Sequence, residues 1–199
     1  MTEPRVVALD PGVRSFTSFF SSDGRMGEIG TDMKHKAAAL KGKIDSIREQ
    51  IKKTTGRKKN RLKKAWYRFN ARSADLVTDF HWHTIKFLLD EFDVVISPRL
   101  ATSYMLSGQS KLDQGSKDTM RFQRHGAFYE KLKMKAAWRR KIVLDLEEHG
   151  TSMTCSSCGN IDRELGSSKT YDCKICGMTG DRDLNAAKNH LIKATVTRS

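Results

Sequence analysis

The chain has 199 residues, with 37 Lys and Arg against 23 Asp and Glu and a formal net charge of +14. Its length and 38% hydrophobic share allow one sizeable core with a small satellite module and exclude several independent domains. The charge favours a polyanionic partner, no apolar run approaches the roughly 18 residues of a membrane span, and Met1 to Leu9 lacks the basic start and apolar length of a signal peptide, so no membrane association is expected.

Arg5 to Leu9 is a short run rich in β-formers, ending in the turn chemistry of Asp10-Pro11-Gly12. Residues 13–20 predict a second strand, Ser21-Ser22-Asp23-Gly24 a hairpin turn, and residues 25–29 a third strand. Met33, Ala37, Leu40, Ile44, Ile47 and Ile51 then fall at alternating spacings of four and three, one apolar helical stripe. Thr54-Thr55-Gly56 interrupts it. The stripe resumes as Leu62, Trp66, Phe69, Ser73, Leu76, Phe80, His83 and Phe87, which predicts an antiparallel helical hairpin at about residues 31–91. Where the second helix begins, Arg57, Lys58, Lys59, Arg61, Lys63 and Lys64 form the densest charge run; a solvated helix start and a nucleic-acid-binding contact with phosphates are both open.

Val94 to Ile96 is a compact buried strand closed by Pro98, and residues 101–114 lack periodicity and read as a loop. Residues 117–138 read as one helix, 142–146 as a strand, 184–192 as a short helix and 195–199 as a frayed tail. Strands first, a long helical insertion, then strand, helix and strand predict an α/β or α+β sheet domain.

All four cysteines lie between positions 155 and 176, which suggests one metal site in a reducing compartment rather than a disulfide framework. Cys155, Cys158, Cys173 and Cys176 form two CxxC knuckles separated by fourteen residues. Two residues between thiolates let one tight turn aim both sulfurs at one ion, and two such turns supply the tetrahedral set that suits structural zinc. Gly159 and Gly177 each follow a knuckle, where a left-handed backbone is often needed. A hairpin around Leu165-Gly166-Ser167 would complete a ribbon.

Asp10 at a strand end and Asp183 near a helix start are candidates to hold hard divalent cations. Taken singly, Asp10 more often means a turn residue, and Asp181 or Asp183 a helix cap.

Three motifs in order carry a resemblance. Val7 to Arg14 resembles the first motif of RuvC-type nuclease domains in the TnpB family and its Fanzor relatives. Thr151 to Gly159 resembles their TSxTCxxCG signature, and Asp181 to Asn189 their DRDxNAAxN motif. The resemblance implies an RNase H-like fold and a catalytic carboxylate set that includes Asp10 and Asp183, the second Asp of the DRD triplet. The TnpB pattern carries a Glu directly after the middle apolar strand, where this chain has Ser97-Pro98. Fanzor-like proteins use a Glu shortly before the TSxTC motif, and Glu148 occupies that position with Glu147 as its neighbour. In a strand the two point to opposite faces, and parity cannot choose between them when both faces are covered.

The resemblance thus implies an RNase H-like nuclease core over residues 1–150, a zinc ribbon over 151–179, and the last motif and helix of the core over 180–199. Asp10, Glu148 and Asp183 would hold Mg2+ or Mn2+ for phosphodiester hydrolysis of DNA. Family members carry a large N-terminal region for guide RNA and target DNA, so guide RNA is a partner by resemblance only; the chain is expected to be a fragment, a shortened product or a minimal nuclease. An inactive nucleic-acid-binding relic with a structural zinc ribbon is the alternative. The expected location is intracellular, nuclear in a eukaryotic or viral host and cytoplasmic otherwise.

Overall fold

The computed structural model describes residues 3–100, 102–110, 112–146, 150–166 and 168–196. Strands β1 (Val6–Pro11), β2 (Thr17–Ser21) and β3 (Met26–Ile29) form an antiparallel meander, and β4 (Val94–Pro98) and β5 (Ile142–Leu146) add in parallel on the other side of β1. The resulting order, β3-β2-β1-β4-β5, is the mixed RNase H-like sheet that the motifs lead one to expect. Parallel neighbours cannot be joined by a tight turn. The crossing from edge strand β3 over the meander to β4 is made by the helical hairpin of α1 (Met33–Lys52) and α2 (Gly56–Glu91), and the link between the parallel neighbours β4 and β5 accordingly runs through α3 (Thr102–Leu106), α4 (Gln114–Gln123) and α5 (His125–Trp138). Beyond β5 come the hairpin of β6 (Thr170–Asp172) and β7 (Thr179–Asp181) and the last helix, α6 (Arg182–Val196).

Strand alternation divides the core between two faces. Val7, Leu9, Val95 and Val143 pack against Ile85, Leu88 and Leu89 of α2 and Phe128, Leu132 and Ala136 of α5. Ala8, Val94, Ile96, Leu144 and Leu146 pack against Leu191 and Ala194 of α6. With helices on both faces, β4 is buried along its length, which is why it reads as a continuous apolar run. Gly30 admits no side chain: a Cβ there would lie 2.7 Å from the Phe80 ring and 2.8 Å from Phe16.

Several elements differ from the sequence expectation. The second strand begins only at Thr17, after a bend over residues 13–16. Near the sheet the buried face of α2 is Val77, His81, Thr84, Ile85, Leu88 and Leu89, while His83 and Phe87 are exposed. Packing from both the sheet and α5 broadens and rotates the stripe there. On α1 only Met33 and Ala37 are buried, although α4 as well as α2 lies beside it, with Lys41 3.6 Å from Asp118. The expected loop contains α3. The expected helix over 117–138 is two helices, broken at Arg124 by a left-handed residue (φ 51°, ψ 50°). The break frees the Gln123 carbonyl to accept from His81 Nε2–H at 2.8 Å. The last helix runs on through Thr195 and Val196. Among the described residues no helix is long and apolar enough to cross a membrane.

Candidate active site and metal centre

Asp10 comes from the C-terminal end of β1 and has the parity of Ala8, so it lies on the α6 face. There it meets α6, which brings Asp183 and His190. His190 is fully buried, and its Nε2 lies 3.3 Å from Asp10 Oδ1 and 3.5 Å from Thr151 Oγ1. Burial and the charge of Asp10 push the Asp183 carboxyl above its usual range, while the Arg14 guanidinium, 3.9 Å away, pulls it back. The packing of α6 against β1 thus makes neighbours of segments that are 173 positions apart in sequence. Asp181 does the capping: its Oδ1 accepts from the backbone N–H groups of Asp183 (2.9 Å) and Leu184 (3.1 Å). That leaves the Asp183 carboxylate to face Asp10 and Arg14.

Two carboxylates, one at the end of β1 and one in the first turn of α6, each with a side chain about a fifth exposed (17% and 24%), suit a hard divalent cation open to water. Their mutual repulsion is what a dication relieves. Glu147 and Glu148, the two candidates for a third carboxylate, lie outside the described residues. The strand register does clarify Ser97: it shares parity with Val95, on the α5 face, away from Asp10. Pro98, paired with Leu146, is the last β4 residue on Asp10's face, after Val94 and Ile96. On β5, Asp145 lies on the other face, 3.9 Å from Lys133 of α5.

The four cysteines converge, with all four sulfurs within 4.8 Å of one another and Cys155–Cys176 and Cys158–Cys173 each at 3.7 Å. In each knuckle the glycine takes a left-handed backbone (Gly159 φ 77°, Gly177 φ 72°), and its N–H closes the turn on the first cysteine's carbonyl at 2.9 Å. The ribbon differs from expectation in layout. The second knuckle is itself the turn between β6 and β7, and the first lies beside a bridge between Thr154 and Ile161. Leu165 and Met178 instead pack on the small core of Cys155, Tyr171 and Cys173. The backbone N–H groups of Cys176 and Ile175 lower the Cys173 thiol to about 7. The Asn160 N–H also works to lower Cys158, but burial and the neighbouring sulfurs win and push it up to about 12. Four thiols so crowded fit one soft dication, and all four positions of a tetrahedron are then filled by protein.

Sequence reasoning missed what the asparagines of the last motif do. Asn185 Nδ2 donates to Thr154 O at 2.8 Å while its Oδ1 accepts from Ser156 N–H at 2.9 Å. Asn189 Nδ2 donates to Thr151 O (2.8 Å) and Thr154 O (2.6 Å). The signal available was their spacing of four, which puts both on one helix face. His190 carried no pattern that marked it.

The basic run occupies the first three turns of α2. Arg57, Lys58, Arg61, Lys63 and Lys64 are exposed and Lys59 half-buried. The first turn holds no acid, so these cations sit at the positive end of a helix dipole, an arrangement that an anion would relieve. Arg57, Lys58, Arg61, Lys64 and Arg68 line one open groove with Leu62 and Tyr67.

Sheet order, carboxylate pair and interposed cysteine ribbon together define an RNase H-like chain with a ribbon inserted before its last helix. Residues 125–190 match the family described as "Cas12f1-like, TNB domain". A protein of Paramecium bursaria Chlorella virus 1 named "Putative transposase" is 32% identical over 96% of this chain and 44% of its own length. A TnpB-like protein of Acanthamoeba polyphaga mimivirus is 29% identical over 95% of this chain and 37% of its own length. A Streptomyces pristinaespiralis protein named "Putative RNA-guided DNA endonuclease" is 29% identical over 93% of this chain and 44% of its own length. The chain therefore spans less than half the length of these relatives. In fold it is similar to Cas12f1 from a Cas12f1–sgRNA–target DNA complex, with a TM-score of 0.64 at 18% identity over 95% of this chain and 50% of that one. The resemblance to TnpB-like proteins drawn from the three motifs is borne out, and the chain is a relative of theirs along nearly its whole length.

Proposed function

We propose that this chain is the nuclease portion of a divalent-metal-dependent, RNA-guided DNA endonuclease. The observation that carries the reading is the packing of α6 on β1, which puts Asp183 3.9 Å from Arg14, four residues past Asp10, and His190 of the same helix 3.3 Å from Asp10 itself; burial first, and then the charge of Asp10, raise the pKa of the Asp183 carboxyl. Asp10 and Asp183 would hold Mg2+ or Mn2+ together with Glu148. Such ions activate water and stabilise the leaving oxygen of a phosphodiester. Glu148 has the sequence parity of Leu144 and Leu146, which face α6 as Asp10 does, whereas Glu147 has that of Val143. Glu148 is taken as the third carboxylate by its place three residues before Thr151, where Fanzor-like proteins carry their Glu. The four cysteines would hold one structural zinc.

DNA and a guide RNA enter as partners by analogy with the RNA-guided endonuclease relative and the Cas12f1–sgRNA–target DNA complex. The basic groove of α2 supports a role in holding phosphate. Arg57 lies twenty residues before Val77, the first buried residue of α2, so the groove stands about 30 Å out along the helix. A nucleic acid held there would contact the chain well away from the carboxylates.

A second reading, an inactive nucleic-acid-binding relic, draws on Pro98 and Ser97. No β4 residue on Asp10's face carries a carboxylate, and among the described residues the cysteines alone form a cluster of three or more metal-ligating groups. The test is Mg2+-dependent cleavage of single-stranded DNA with guide RNA supplied. Asp10→Asn, Asp183→Asn and Glu148→Gln should each abolish it while zinc content and DNA binding persist, and Glu147→Gln should be much milder. Activity that survives Asp183→Asn would end the nuclease reading of this site; loss with Glu147→Gln but not Glu148→Gln would move the third ligand.

A further inference from the structure

Among the described residues His190 is the imidazole that contacts Asp10, and its surroundings are unusual for a helix core position. The other buried positions of α6 are the small residues Ala186, Ala187 and Ala194 and the asparagines Asn185 and Asn189, whose amides are spent on the loop from Thr151 to Ser156. An apolar residue would satisfy the packing at no desolvation cost. Instead the chain buries a ring completely, with Nε2 at 3.3 Å from Asp10 Oδ1 and Nδ1 without any hydrogen-bond partner.

The geometry points to His190 as a positioning residue that donates Nε2–H to Asp10 Oδ1 and so aims the carboxylate at the space it shares with Asp183. The inference rests on the metal-site reading of those two aspartates. A carboxylate offers only lone pairs, so the nitrogen facing it is the one that must carry a proton, which selects the Nε2–H form over the Nδ1–H tautomer. Seven residues separate Asp183 from His190, two turns on one helix face. One α6 face thus carries an open carboxylate at its start and a buried donor two turns further in. The donor is held firmly. Thr151 Oγ1 stands 3.5 Å from the same Nε2, and Asn189, the residue before His190, grips the Thr151 carbonyl at 2.8 Å. Carboxylates that ligate metals rely on such hydrogen bonds for their orientation, and removing the partner commonly weakens metal binding 10–100-fold.

The experiment titrates the zinc-loaded full chain with Mn2+ alone, read by the loss of the free-ion signal in electron paramagnetic resonance. Beside it, nitrogen-detected NMR of the metal-free carboxylate site reports which ring nitrogen of His190 carries the proton. His190→Leu keeps an apolar packing unit without a donor. His190→Gln carries an amide N–H at about the reach of Nε2. Melting temperature and zinc content show whether each variant is folded. The expected result is an Nε2–H ring in the wild type, Mn2+ binding weakened 10–100-fold in His190→Leu, and recovery to within about threefold in His190→Gln. Wild-type Mn2+ affinity in His190→Leu would overturn the inference, as would a Gln variant no better than the Leu variant or a proton found on Nδ1. Failure of the underlying reading looks different: Mn2+ binding would be indifferent to Asp10→Asn and Asp183→Asn, while the tautomer, read without Mn2+, would still decide whether His190 serves Asp10.

Discussion

Two buried histidines stand behind the Asp10 turn, and acidification should expose their contribution. His125 Nε2–H donates to Gln123 Oε1 at 3.0 Å and to Gly12 O at 3.2 Å, and Phe16 lies flat on its ring, centroids 4.6 Å apart and planes 8° apart. His81 donates to the Gln123 carbonyl and leaves Nδ1 unpartnered. Burial lowers both pKa values from 6.5 to about 4. The unfolded chain takes up these protons near 6.5 and the folded chain only near 4, so the stabilisation is complete above the unfolded value and is lost as pH falls toward the folded one. Between pH 7 and about 5.5 the loss is about 1 kcal/mol for each ring and roughly 2 for the pair. With a urea slope of roughly 2 kcal/mol/M, the unfolding midpoint should fall by about 1 M. The assay is urea unfolding followed by circular dichroism at both pH values, with zinc content checked at each so that ribbon loss is not mistaken for histidine protonation. A protein with both His81→Gln and His125→Gln should be less stable at pH 7 but should lose most of that pH dependence. An equal fall in the double variant would refute the argument that these rings are kept neutral by burial.

Other consequences are as direct. Purified protein should contain about one zinc equivalent, and Cys155→Ser with Cys158→Ser should abolish it; stoichiometric zinc in that double variant would remove the ribbon assignment. DNA affinity should fall steeply with salt, each phosphate contact contributing a log–log slope of roughly −0.9 for duplex and −0.7 for single strands, and replacing Arg57, Lys58 and Lys59 with Ala should flatten that slope. An unchanged slope would return the run to a solvated helix start. Asn189→Leu strips the Thr151 and Thr154 carbonyls of their shared donor and should cost about 1–3 kcal/mol; a measured loss near zero would show that the ribbon is held by other contacts.

The sheet was legible because strand-length apolar runs and turn residues are local signals, and each strand of the main sheet falls where such a run stands, within a few residues. The four sulfurs were legible for the same reason: knuckle spacing is itself the geometry. What the sequence hid was decided by packing between distant segments. Arg124 breaks a helix through a left-handed backbone that no Gly, Pro or Asn announces, and the break has meaning only beside His81. His83 and Phe87 fit the apolar stripe of α2 yet face solvent, because α5 and the sheet together choose a different face. Ser97 drew notice as the place where an acid was missing, but its parity turns it toward α5, and only the paired register of β4 reveals that Pro98 is the last position on Asp10's side. His190 sits in a motif read for its carboxylates and asparagines, and a lone buried histidine has no spacing to betray its partner.

The order in which the ribbon and the last helix follow one another has a physical reason. Asp181 is both the last residue of β7, paired with Thr170 across the ribbon hairpin, and the cap of α6 through its bonds to the N–H groups of Asp183 and Leu184. One residue therefore fixes the direction in which the ribbon ends and the helix bearing Asp183 begins. Four residues into α6 Asn185 reaches back to the loop before the first knuckle, and Asn189 does so one turn later, so the helix grips both ends of the segment from Thr151 to Ser156. Tyr171 ties the ribbon hairpin to the same loop by donating to the Met153 carbonyl at 3.1 Å. A metal that holds the knuckles together thereby holds the loop that α6 leans on, and α6 in turn carries Asp183 toward Asp10. The cysteines are thus coupled to the carboxylates through hydrogen bonds rather than through any shared ligand, and a ribbon inserted anywhere other than directly before α6 would forfeit that coupling.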